Sequence, residues 1–356
     1  MCHYVFQRNN FLIRGVYKKT EVIMKYTDRV YGEFEITEPV ILELINCPSL
    51  QRLKKIDQAG YRPLWVKPDV DTGEYDHSRF AHSLGVYLLL RKHNTSLEEQ
   101  IAGLIHDVSH SAFSHCIDYI LEVGSEKEHN HQDNLFDDYI RKTEIPKIIK
   151  KFGFDLEYVL NDKNFPLKEK NLPDLCADRI DYSLKTAVIF GELNEQDKNY
   201  LLENLTTKNN NWVFKNFESA KRYAELFLKL NMTHYAGFSS AIMFRVVGDC
   251  LRYALQKGYI LENDLYTTDK IVIEKVKMFL DKDEKLKLFW ERMNNKVKVS
   301  NNPNNYDVKV FCKSRIVNPL FINNGVLKRV SEVESRWNDI IEKELKPKHY
   351  FLKFEK

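Results

Sequence analysis

Apolar residues recur at helical spacing along most of the chain. Val40, Ile41, Leu44 and Ile45 follow Pro39, a residue suited to the first turn of a helix. Leu53 and Ile56 continue as a second helix, expected to end near Gly60. Two further stripes lie between His77 and His115. Phe80, Leu84, Val86, Tyr87, Leu88 and Leu90 form one, and Ile101, Leu104, Ile105 and Val108 form the other. Helical spacing resumes over about 132–151, 173–190, 195–203 and 217–258, so the body is expected to be mostly α. Residues 25–37 read as a short extended entry. Residues 61–76, with Pro63, Pro68, Gly73 and four acids, have the profile of an exposed loop.

The pattern changes towards the C-terminus. Residues 294–305 (NNKVKVSNNPNN) read as a linker. Beyond them Val308–Cys312 and Pro319–Ile322 look like strands, the second running into an Asn-Asn-Gly turn at 323–325. A helix over 330–344 and a strand from His349 to Phe354 complete a small α+β lobe. The expected division is an N-terminal extension over 1–23, dispensable because Met24 offers a second start, a main domain over 24–293 and the lobe over 306–356.

Composition narrows the class without naming a chemistry. Hydrophobic residues at 43% and charged residues at 29% are those of a soluble globular protein. With 54 basic and 51 acidic residues the net charge is +3, which demands neither nucleic acid nor an anionic membrane as partner. The six cysteines are scattered with no paired spacing, as expected of reduced thiols in a cytoplasmic protein. There is no apolar run of about 18 residues and no signal-peptide core at the start.

The chemistry concentrates in residues 77–115, which hold six of the eleven histidines. His82, the adjacent pair His106-Asp107, and Asp178 form a mixed nitrogen and oxygen set suited to a borderline or hard divalent ion. They fall on three separate helical segments, which would converge in the core of a bundle. His106 and His110 are four apart and are expected to share a helix face that Ser114 and Asp118 continue. Ligation would lower the pKa of a bound water, and a nearby histidine, poised near working pH, can donate a proton to a leaving oxygen. No covalent nucleophile is evident. The bland alternative, buried polar residues bridging helices, leaves costly unpaired carboxylates.

The segments HSRFAHSLGV, IAGLIHDVSHSAFSH and DRIDY, with the lead-in ILELINCPSLQRLKKIDQAG, resemble the HD-domain phosphohydrolase superfamily. The match is to its branch of deoxynucleotide triphosphohydrolases, which includes the sterile-alpha-motif-and-HD restriction factor. The resemblance runs from about residue 30 to 190 and fades beyond. It implies an HD-domain helical bundle with a small C-terminal α+β lobe. It also implies one divalent transition ion (Mn, Fe, Zn or Ni) on His82, His106, Asp107 and Asp178, with Mg accompanying substrate phosphates. It places His110, His115, Asp118 and His131 in the catalytic pocket, Arg79, Arg179 and Tyr182 at phosphate and sugar, and Gln58 against the substrate. A nucleotide substrate and a homo-oligomer follow from the same resemblance. His77 and His129 are expected to be structural or exposed, and Asp181 an ion-pair partner.

Departures from that branch cluster on the substrate side. Cys176 stands where an acid usually precedes the metal aspartate, and Lys185-Thr186 replaces an Arg-Asp pair near the sugar. Ala59 corresponds to a leucine that crowds the sugar edge, and Ser239-Ser240 to a His-Lys pair. The expected activity is therefore a metal-dependent nucleotide phosphohydrolase, releasing triphosphate from a (deoxy)nucleoside triphosphate by metal-activated water. A phosphodiesterase, a 5′-nucleotidase or a non-catalytic nucleotide sensor are the alternatives.

Overall fold

The computed structural model describes residues 23–61, 77–121 and 131–355, and only the backbone of residues 131–134. The expectations for residues 1–22, for the loop at 62–76, and for the His129 and His131 side chains lie outside the described residues.

The described chain enters through a hairpin, β1 (Met24–Asp28) against β2 (Gly32–Ile36), so the extended entry folds back on itself. The Asp28 carboxylate holds the turn by accepting from the Val30 and Tyr31 N–H groups at 2.8 and 3.1 Å. Helices α1 (Pro39–Asn46) and α2 (Pro48–Arg52) both open on a proline, which has no N–H to lose there. Helices α3 (Arg79–Lys92) and α4 (Leu97–Ile105) start on Ser78 and Ser96, whose hydroxyls accept from Ala81 and Glu99 N–H. Next come α5 (His131–Ile140), α6 (Ile145–Lys151), α7 (Leu156–Leu160), α8 (Ala177–Ile189) and α9 (Glu195–Asn204). The hairpin β3 (Leu205–Lys208) and β4 (Asn211–Phe214) precedes α10 (Phe217–Leu230), α11 (Phe238–Gln256), α12 (Asp269–Lys277) and α13 (Glu284–Met293).

The last part contains β5 (Val299–Asn301), β6 (Val308–Cys312), β7 (Leu320–Asn323), β8 (Val326–Arg329), α14 (Val330–Val333), α15 (Arg336–Glu344) and β9 (Lys348–Phe354). The fold is mostly α with small sheets. Asn324 and Gly325, at φ 48° and 81°, make the two-residue turn between β7 and β8. The strands of 306–356 do not share one sheet. β9 pairs with β5 and β6, whereas β7 runs parallel to β4 and joins β7–β8 to β3–β4. The reason lies in β4, whose Trp212, Val213 and Phe214 are buried and whose open edge needs a partner.

Several expected helices are shorter than their apolar spacing suggests. The second gives way to a 3-10 turn at Leu53–Lys55, well before Gly60. The stretch 132–151 breaks between α5 and α6, 330–344 breaks between α14 and α15, and 217–258 breaks at a π-helical turn, Asn231–Tyr235. Apolar periodicity persists across the first two breaks because each pair of segments covers the same core, whereas the π-helical turn carries the chain from the first core under α10 to the second under α11.

Two hydrophobic cores result. The first surrounds α3, which is buried from Arg79 to Leu90 as befits a helix enclosed on all sides. The second lies under α11, α12 and α13 and the sheet face of β6 and β9. The chain passes from one to the other between Val108 and Ala112, within the histidine stretch. Gly85 is where α3 and α8 approach most demandingly. A Cβ there would run into the Asp181 carboxylate and the Lys185 ammonium. The described cysteines are all free and buried, and no described helix is long and apolar enough to cross a membrane.

Candidate metal centre and its pocket

His82 on α3, His106 and Asp107 at the end of α4, and Asp178 in the first turn of α8 converge on one point. His82 Nε2 lies 2.9 Å from Asp178 Oδ1 and 3.2 Å from His106 Nε2. His106 Nε2 is 3.4 Å from Asp107 Oδ1 and 3.6 Å from Asp178 Oδ1. The other ring nitrogens are already occupied. His82 Nδ1 faces Asp181 Oδ2 at 2.6 Å, and His106 Nδ1 faces the Gly103 carbonyl at 2.8 Å. With Nδ1–H donating in both rings, the two Nε2 lone pairs point at each other across 3.2 Å. Two such lone pairs repel unless a positive centre lies between them, so the donor set fits a divalent ion. Without an ion the cluster meets the same demand with a proton on His82. Burial pulls the His82 imidazole down, but its hydrogen bonds to Asp178 and Asp181 prevail and raise it to about 9.

Asp107 is the hub of the cluster. Burial would raise its carboxyl, yet Arg79, His106 and His110 hold it well below the usual carboxylate range. Arg79 Nη1 donates to Asp107 Oδ2 at 2.8 Å and its Nε to Ser114 Oγ at 3.0 Å. Its Nη2 is buried without a hydrogen-bond partner. Ser114 reaches Arg79 from a turn in which Phe113 and Ser114 have φ of 59° and 44°. Left-handed backbone at a bulky residue costs roughly 1–3 kcal/mol and points to a constrained functional turn.

The expected helix face through His106, His110, Ser114 and Asp118 does not form. Helix α4 stops at Ile105, residues 106–113 are turn and irregular chain, and Ser114–Tyr119 is a separate 3-10 segment. His110 still reaches the cluster, with Nε2 3.3 Å from Asp107 Oδ1, and its ring meets that of His115 edge-on at 5.4 Å. Its protonation differs from the sequence expectation. Burial and the adjacent Arg79 push His110 down to about 4, so it is neutral at pH 7 rather than a ready acid. Asp118 is buried beside this turn. Sequence reasoning missed Arg52, which ties the turn down. Its guanidinium donates to the Val108 and His110 carbonyls at 2.8 and 2.7 Å and to Thr267 at 3.1 Å. A lone arginine in the lead-in carries no signal of that role.

Around the cluster opens a cavity of about 640 Å³. Gln58, Ala59, Tyr182 and Thr186 form one part of its wall, and Arg79, His106, Asp107, His110, His115 and Asp178 another. Arg179 also lines it, but its fork is occupied by the Lys170 carbonyl at 3.2 Å and the Asp174 carbonyl at 2.6 Å. It therefore braces the segment before α8 more than it presents donors. Glu169, Cys176 and Asp178 bring donor atoms within 4.8 Å of one another. Arg179 lies among them, 3.1 Å from Cys176 Sγ and 3.8 Å from Glu169, and already supplies their positive charge. Asp181 pairs with Lys185 at 3.2 Å, and Lys185 with Asp28 at 2.9 Å, so the partner of His82 is itself held.

Behind the wall, Asp269 at the start of α12 accepts from Asp57 and Phe113 N–H at 2.9 and 2.8 Å. Burial raises it to about 7. Because the folded value exceeds the unfolded one, the native state binds the extra proton between about pH 4 and 7. Its contribution is thus present at low pH and lost as pH rises, by no more than about 1.4 kcal/mol per unit. The destabilisation caused by Asp269→Asn should accordingly be larger near pH 5 than near pH 8 in urea melts. A deficit that stays constant or grows with pH would contradict this assignment.

The family model described as HD domain matches residues 79–184. An uncharacterized protein of Bacillus subtilis, YdhJ, is 31% identical over 307 residues, 86% of this chain and 91% of its own. The metal-dependent phosphohydrolase cns2 of Cordyceps militaris is 35% identical over 204 residues, 57% of this chain and 52% of its own. Deoxynucleoside triphosphate triphosphohydrolase SAMHD1 of Mus musculus is 27% identical over 183 residues, covering 44% of this chain and 27% of its own. This chain thus spans about half of the first named enzyme and a quarter of the second. A solved structure of a hypothetical protein from Aquifex aeolicus superposes with a TM-score of 0.66 at 22% identity, over 94% of this chain and 96% of that one.

Proposed function

The chain belongs to the HD-domain family of metal-dependent phosphohydrolases, and on that premise we propose that it hydrolyses nucleoside triphosphates, deoxynucleotides among them, to nucleoside and triphosphate. The observation that carries this reading is the convergence of His82, His106, Asp107 and Asp178, the last three of which line a cavity of about 640 Å³. That volume suits a nucleotide-sized ligand. His82, His106, Asp107 and Asp178 would hold a divalent ion, which would supply Lewis acidity towards water and a phosphoryl oxygen. Arg79, with Nη2 spare, orients a phosphate oxygen beside Asp107. His110, neutral and anchored on Asp107, accepts a proton from the attacking water. An O–P bond forms from water, the ester P–O bond breaks, and the nucleoside oxygen leaves with one proton. The reading draws support from the likeness to SAMHD1.

Product analysis tests it directly. Metal-loaded protein incubated with dGTP should release inorganic triphosphate. A nucleoside monophosphate released from a diester, with no triphosphate from any nucleotide, would favour the phosphodiesterase reading instead. The sugar edge makes a further prediction. Ala59 and Thr186 both line the cavity, and neither fills the space of a leucine. Discrimination between GTP and dGTP should be weak in the wild type and should rise in Ala59→Leu, by about 1–3 kcal/mol in the ratio of kcat/KM. Strong deoxy preference untouched by that substitution would place the sugar elsewhere.

A further inference from the structure

The cavity wall is not built by the HD helices alone. Lys313 and Arg315, from the stretch joining β6 to β7, contribute to it. In an extended stretch alternate side chains face opposite ways. Lys313 and Arg315 accordingly face the cavity, while Ser314 and Ile316 are buried. A buried polar network holds the stretch in place. The Asn231 side-chain amide donates to Ser314 Oγ and to Glu344 Oε2, both at 2.9 Å, and its oxygen accepts from Arg315 N–H at 2.9 Å. Asn231 opens the π-helical turn that separates α10 from α11, so the break in that long helix serves to fix Arg315.

Arg315 is also the least neutralised of the arginines in the wall. Arg79 is paired with Asp107 at 2.8 Å, and Arg179 lies 3.8 Å from Glu169. Arg315 makes one long donation, Nη1 to the Lys313 carbonyl at 3.4 Å, and no carboxylate among the described residues pairs with it. Its charge is felt at Tyr182, whose ring lies 6.5 Å from that of His82. Tyr182 lines the same cavity as Arg315. A half-buried guanidinium with no counter-charge among the described residues is costly, and an anion bound there removes the cost.

We propose that Arg315, with Lys313 beside it, binds a phosphate group of the substrate other than the one attacked at the metal centre. The substrate then carries at least two phosphate groups. This rests on the phosphohydrolase reading above and adds to it the residues that would hold the phosphates not attacked.

Calorimetric titration tests the subsite without turnover. Metal-loaded full chain is titrated with inorganic tripolyphosphate, orthophosphate and a non-hydrolysable dGTP analogue at fixed salt. Arg315→Gln should weaken tripolyphosphate and the analogue about tenfold, equivalent to roughly 1.4 kcal/mol. Orthophosphate, held at the metal centre, should be unchanged, and Arg315→Lys should keep most of the affinity. Analogue binding tighter than tripolyphosphate identifies a nucleotide, and equal binding a simple polyphosphate, both consistent with the subsite. Undiminished tripolyphosphate affinity in Arg315→Gln, equal losses for tripolyphosphate and orthophosphate, or no tripolyphosphate binding by the wild type would each overturn it. If no nucleotide is hydrolysed while Arg315-dependent binding persists, the proposed activity falls and the subsite stands.

Discussion

Asparagine in place of Asp107 is expected to abolish metal retention and turnover together, and to destabilise the fold by about 3–5 kcal/mol. The two losses have different origins. Asp107 brings its oxygens to His106 and His110 and completes the cluster, so removing its charge removes a ligand. It is also the buried counter-ion of Arg79, whose side chain is 3% exposed. Without it, the Arg79 guanidinium is left desolvated and uncompensated. Asp178→Asn separates the effects. Asp178 pairs with the two imidazoles and with no buried guanidinium, and is 23% exposed, so its loss should empty the centre at a smaller cost to the fold. Elemental analysis and urea melts after chelation provide the comparison. Full metal occupancy in Asp107→Asn would remove Asp107 from the ligand set. Equal stability of the two chelated variants would mean that Arg79 does not depend on Asp107.

The gathering of His82, His106, Asp107 and Asp178 was legible in the sequence because short, recognisable motifs carry them. His82, His106, Asp107 and Asp178 come together as their positions on three helices suggest. What failed was inference from spacing where periodicity was interrupted. His106 and His110 are four apart, yet α4 ends at Ile105 and the two reach Asp107 from a turn. Side-chain commitments were equally hidden. Arg179 matches a phosphate-contacting position but gives its fork to carbonyls, and His110 sits beside Arg79, which keeps it neutral. The C-terminal strands were visible as strands but not as parts of two sheets, since β4–β7 pairing joins residues about a hundred positions apart. For the same reason Lys313 and Arg315 carried no signal, being brought to the cavity only by the Asn231 network.

Gly85→Ala should reverse the usual sign of its substitution. In an exposed helix interior the change gains about 1 kcal/mol, because alanine loses less backbone entropy than glycine. On α3 the added methyl would meet the Asp181 carboxylate and the Lys185 ammonium. Neither can withdraw freely. Lys185 also holds Asp28 at 2.9 Å and donates to the Ala81 carbonyl at 2.6 Å, and Asp181 holds His82 Nδ1 at 2.6 Å. Parting the buried pair leaves uncompensated charge, so a loss of about 3–5 kcal/mol is expected in place of the gain. The displacement travels outward by one contact. Asp181 fixes the orientation and tautomer of His82, and disturbing such an outer partner typically lowers metal affinity about 10–100-fold. Urea melts and competitive metal titration read the two effects separately. A stabilised Gly85→Ala protein with undiminished metal affinity would show that the Lys185–Asp181–His82 relay neither crowds α3 nor orients the metal ligand.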